Sequence, residues 1–98
     1  MSPRGEGFGR VEKEIQAEKA AALGRAGERL EAALAELRAL EASMEGTPDE
    51  RMRAAYRTAR ARARTARLHL LIQREAVGLR SHRVVDQQFP EPVPPPWL

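Results

Sequence analysis

EGTPDE, residues 45–50, is the stretch whose reading decides the fold. Gly46 suits the left-handed position just past a helix end, where other residues are strained. Thr47 can cap the start of a second helix, and Pro48 fits its first position, where no N–H is needed. Asp49 and Glu50 then face the positive end of the helix dipole, and Thr47 with Glu50 has capping-box spacing. The stretch reads as one helix stopping and another starting, with the turn at residues 46–47.

Upstream, Val11, Ala22, Ala33 and Met44 recur every eleven residues, and Ile15, Ala26 and Leu37 repeat the interval. Leu23, Leu30, Leu34 and Leu40 fill the same side of the helical wheel. Such an interval favours a straight helix over a left-handed supercoil. Downstream, Met52, Tyr56, Ala59, Ala63, Ala66, Leu70 and Val77 form a second stripe at helical period. Two helices of about 35 residues, each roughly 50 Å long, joined by a tight turn make an antiparallel hairpin. With the turn at 46–47, Leu30, Leu34 and Leu37 are expected opposite Ala66, Ala63 and Ala59, large facing small. Gly24, Gly27 and Gly78 fall inside the pattern and suggest places where something packs against the backbone.

The fold class expected is all-α. The 98 residues suffice for one small domain, aromatics are 4%, and alanine, leucine, glutamate and arginine dominate. Residues 1–10, with Gly5, Gly7 and Gly9, read as a frayed lead-in; 11–83 as the hairpin; 84–98 as a proline-rich C-terminal strap. Prolines 90, 92, 94, 95 and 96 exclude helix there and favour polyproline II. So short a chain has a thin core, and the reading expects a homodimer, two hairpins forming a four-helix bundle. There is no cysteine, so disulfides and thiolate chemistry are excluded. The first residues lack an apolar signal segment, and no run approaches the roughly 18 apolar residues of a membrane span. The expectation is a soluble cytoplasmic protein.

Charge is divided unevenly. Residues 11–45 carry eight acids and five bases, whereas residues 49–83 carry ten arginines and three acids. Within the second half, RMRAAYRTARARARTAR, residues 51–67, holds seven arginines and no acid. Arg53, Arg57, Arg60, Arg64 and Arg67 form one stripe beside the apolar seam. Such a stripe could grip phosphates or an acidic partner, since arginine binds both bidentately. The alternative favoured is a solvated face partly neutralised by acids of the first helix, with Glu45, Glu36, Glu31 and Glu28 level with Arg51, Arg60, Arg64 and Arg67. One interleaved aromatic and no binding motif argue against nucleic acid.

LHLLI, residues 68–72, raises the other question. Leu70 belongs to the seam, but Leu68, Leu71, Ile72 and Leu79 point elsewhere, and a helix apolar on two sides has two neighbours. The returning tail with Trp97, a second hairpin or a partner protein could cover them. Pro92 and Pro95 have PxxP spacing, which SH3-like modules read, though a structural strap is the preferred reading. His69 and His82 fall on different sides of the helix, and His82 and Asp86, though spaced i, i+4, reach where the helix is expected to fray; Glu75 beside Arg74 reads as a local ion pair. No phosphate loop or nucleophile motif is present, so no catalytic, metal or cofactor residue is assigned. An enzyme is not expected.

EKAAALGRAGERLEAAL (residues 18–34) with IQREAVGLRSH (residues 72–82) resembles a family of short bacterial helical proteins whose function is uncharacterised. The resemblance implies a small cytoplasmic bacterial protein and brings no catalytic residues with it. The function expected is that of a non-enzymatic interaction or scaffold protein.

Overall fold

The computed structural model describes residues 3–98, with side chains from Gly7 onward. It contains three helices in chain order: α1 (Pro3–Ser43), α2 (Glu50–Ala76) and the short α3 (Arg83–Gln88). α1 and α2 pack as an antiparallel hairpin inside a rod of 71 × 22 × 15 Å. Ala26, Leu30, Leu34 and Leu37 of α1 are buried against Tyr56, Ala59, Ala63 and Leu70 of α2. The two apolar stripes read from the sequence are therefore the seam. Alanines on one side let the leucines of the other approach without voids.

The connection is longer than the two-residue turn expected. α1 ends at Ser43, and Asp49, not Thr47, is the N-cap of α2: its Oδ1 accepts from the Met52 N–H at 2.8 Å. Gly46 does adopt a left-handed conformation, φ +67°, but in mid-connection rather than directly at the helix end. Glu50 becomes the first helical residue and does not close a capping box. The register moves accordingly. Tyr56 meets Glu41 and Arg62 meets Glu36, so levelled residue numbers add to about 97–98 instead of 94–96.

α2 stops abruptly at Ala76. Gly78, with φ +90°, follows the cap residue Val77, and the N–H groups of Leu79 and Gly78 donate to the carbonyls of Arg74 and Glu75. That pair of bonds is a Schellman motif, which needs glycine at its left-handed position. Gly78 is thus a helix stop rather than a packing site. Gly24 and Gly27 have open space where a Cβ would stand, so no close neighbour explains them either.

Because α2 has 27 residues and α1 has 41, the two helices are unequal. The end of α2 lies level with about Ala22. Of residues 1–10, expected as a frayed lead-in, 3–10 are the first turns of α1, and 1–2 lie outside the described residues. From Gly7 to Ala21 every residue is exposed. This overhang is a single helix without a neighbour among the described residues.

The tail returns along α2. After the break at 77–82, α3 places Val85 in the core at 2% exposure, with Phe89 and Trp97 packed against the same cluster. Residues 84–88 of the expected strap are therefore helical, and the extended portion starts after Phe89. In it Phe89, Pro92 and Pro95 are half-buried while Pro90, Val93 and Pro94 are exposed. A three-residue alternation is what polyproline II geometry gives.

Candidate functional site

Two features drew attention in the sequence, the arginine stripe and the leucine cluster, and they lie on neighbouring parts of α2. The stripe is engaged. At its start, Glu50 accepts from Arg53 at 3.0 Å and Arg57 at 2.6 Å, and Arg53 also donates to the Pro48 carbonyl. The Arg57 guanidinium first, then that of Arg53, holds the Glu50 carboxyl below its ordinary range. Farther along, the remaining three arginines hold the tail. Arg60 donates to the Pro92 carbonyl at 3.3 Å, Arg64 to Glu91 at 3.0 Å, and Arg67 to the Phe89 carbonyl and Asp86. The contacts step backwards along α2 as the tail advances, so the strap runs antiparallel to the helix.

The pairing expected with α1 is mostly absent. Glu36 meets Arg62, which lies outside the stripe, and the stripe's anions come from Glu50 and the tail instead. The reason is position. The longer connection shifts the register, and the seam occupies the face of α2 turned toward α1. A stripe beside that seam points sideways, where the strap runs. Arginine suits this seat because a planar guanidinium can bond backbone carbonyls and carboxylates together.

At the far end of the strap Trp97 stands edge-on to Tyr56, ring centroids 4.9 Å apart and planes at 68°. Tyr56 is 1% exposed and its hydroxyl donates to Glu41 at 2.9 Å. Burial, and then the acceptor Glu41, raises its phenol to about 12. By its spacing Tyr56 is a seam residue. It is also the floor of the tryptophan's seat, a role with no local signal because its partner is 41 positions away. The PxxP pair Pro92 and Pro95 faces inward, so the strap as seated does not offer that edge to a reader.

The leucine cluster does not form one face with Trp97. Leu71 is half-buried against the core on the strap side, and Trp97 lies at Tyr56, nearer the turn. Leu68 and Ile72 stay 56% and 50% exposed, and Leu79, beyond the helix end, is also exposed. The strap therefore does not cover them. Leu68 and Leu71 line a shallow groove together with Ala61, Thr65, Arg64, Arg67 and Glu91.

Of the titratable residues considered, His82 meets Glu75 at 2.9 Å and Arg74 donates to the Ser81 carbonyl. Glu75 thus pairs with His82 and not with Arg74. These contacts tie the break between α2 and α3. Among the described residues no three or more histidine and acidic side chains come together to hold a metal ion. No described helix is long and apolar enough to cross a membrane. Comparison with known proteins finds no matching family model, no matching curated protein and no matching solved structure.

Proposed function

We propose that this chain is a non-enzymatic helical interaction protein, a bacterial scaffold whose second helix presents Leu68 and Ile72, with Leu79 just beyond its end, to another helical surface. The observation that carries the reading is the exposure of Leu68 and Ile72 while the strap is seated. Fully burying a leucine-sized side chain contributes about 1.5–3 kcal/mol, so two or three at helical spacing favour a cover. A second hairpin across a two-fold axis is the simplest cover and makes a four-helix bundle. Light scattering on the full chain tests it. The expected result is self-association that Leu68→Glu with Ile72→Glu weakens without loss of helix. A full-length single copy at every concentration would count against it.

The alternative, nucleic-acid binding through the stripe, meets guanidiniums that already bond within the chain, those of Arg60, Arg64 and Arg67 to the strap and those of Arg53 and Arg57 to Glu50. The expected affinity for duplex DNA at physiological salt is no tighter than about 10 μM, within the usual range of non-specific binding. A sub-micromolar complex weakened by charge reversal at Arg57 would reverse the preference.

A further inference from the structure

The apolar stripe of α1 does not stop where α2 stops. Phe8, Val11 and Ile15 are exposed at 74%, 53% and 43%. Eleven-residue steps carry Ile15 onto Ala26 and Leu37, Val11 onto Ala22 and Ala33, and Phe8 through Lys19 onto Leu30. Each step turns a helix by only about 20°, so the exposed side chains lie in phase with the buried seam. The overhang carries the intramolecular interface onward for roughly four turns with no helix opposite it among the described residues. A shallow groove runs along it, lined by Phe8, Val11, Glu12, Ile15, Gln16 and Lys19.

We propose that the overhang is a docking surface for the overhang of a second copy of this chain, the two α1 helices crossing antiparallel about a two-fold axis at Val11. Space selects both the direction and the centre. The second helix must lie on the seam in line with α2, whose end is level with about Ala22. Centred on Val11, the incoming Pro3 falls about level with Lys19, on the overhang and not on α2. Centred on Ile15, it would run into α2. The Val11 centre also sets Phe8 of each copy within one residue of Ile15 of the other, so Phe8, Val11 and Ile15 form the contact. Charge does not oppose it. Arg10, Lys13 and Lys19 balance Glu12, Glu14 and Glu18, so the overhang is neutral. This contact uses a different helix from the Leu68–Ile72 face and stands or falls without it.

The chain has no cysteine, so single introduced cysteines report the contact cleanly. A disulfide needs Cα atoms within about 7 Å. In the full chain, Val11→Cys is expected to oxidise to a covalent dimer, whereas Ala17→Cys, on the opposite side of the same exposed helix, stays single. Phe8→Cys and Ile15→Cys, mixed with one chain mass-tagged, are expected to give the mixed disulfide and little of either self-pair. Self-pairs at all three positions would mean parallel helices and overturn the proposal, as would Val11→Cys oxidising no faster than Ala17→Cys. Cross-linking at Ile72→Cys reads the α2 face separately. Its failure with success at Val11 would remove the four-helix bundle and leave the overhang contact in place. Light scattering of Val11→Glu in the Leu68→Glu, Ile72→Glu background, with circular dichroism to show that the hairpin persists, should read single copies; a dimer unaffected by Val11→Glu in that background overturns it too.

Discussion

α1 is one helix with two unlike halves. From Ala22 to Ser43 its apolar stripe is buried under α2; from Gly7 to Ala21 the same stripe, in the same phase, lies open. The residue types do not separate the halves, since Phe8, Val11 and Ile15 are as apolar as Leu30 and Leu37. What separates them is the length of α2, cut at Gly78. A helical stripe specifies a face; where a neighbouring helix ends decides which part of the face is covered.

The sharpest way to break this comparison is to truncate one in-phase residue in each half. Leu30, fully buried, should lose about 2–5 kcal/mol of unfolding free energy on replacement by alanine. Ile15→Ala should change it by no more than about 0.5 kcal/mol when measured dilute enough for single copies. Denaturant melts read both. Equal losses would mean that the overhang is covered within the single chain, and the two halves would not differ as described.

The next largest effect concerns the strap, which covers α2 as none of the described residues covers the overhang. Tyr56 is the chain's one tyrosine and Trp97 its one tryptophan, so each can be followed alone. The phenol's pKa rises from 10.0 unfolded to about 12 folded, so folding favours the neutral form. Stability from this group is present in full below pH 10 and is lost as pH rises through about 12. Tyrosinate absorbance should appear late, and Trp97 emission should shift toward that of exposed indole in the same interval. Tyrosine ionising near pH 10, with Trp97 unmoved, would place the ring in water rather than under the strap.

The hairpin was legible because its evidence is local: stripes at helical period and a stop-and-start signal within six residues. The register was not, since Thr47 and Asp49 are both competent caps two positions apart, and choosing the wrong one slides every pairing. Nor was the fate of the arginines. A stripe beside a seam looks the same whether it faces water, phosphate or the chain's own tail. Arg64 and Glu91 are 27 positions apart with a break and a turn of helix between them, and nothing in spacing connects them. Likewise Gly24 and Gly78 look alike as glycines inside an apolar pattern. Only the backbone separates them.

That separation predicts opposite signs. Gly78 has φ +90°, where an alanine is strained by about 1–2 kcal/mol, so Gly78→Ala should destabilise the end of α2. Gly24 is helical with open space at its Cβ position, so Gly24→Ala should stabilise by up to about 1 kcal/mol. Thermal melts of the two variants should move in opposite directions. Movement the same way would remove Gly78 as the residue that limits how much of α1 is covered.

The other end of α2 gives the smallest effect and fixes the register. Asp49 has extended backbone, ψ 176°, and its carboxylate accepts the Met52 N–H, one of the groups a helix start leaves without a partner. Thr47, two residues earlier, has an exposed side chain in the connection. Asp49→Ala should therefore cost about 1 kcal/mol, typical of losing a cap, and Thr47→Ala only a few tenths. Asp49→Asn should recover most of the loss, because an amide oxygen can accept the same bond. If Thr47→Ala proves the costlier change, α2 starts two residues earlier. Tyr56 then slides from Glu41, and the alignment that leaves α1 open up to Ala21 slides with it.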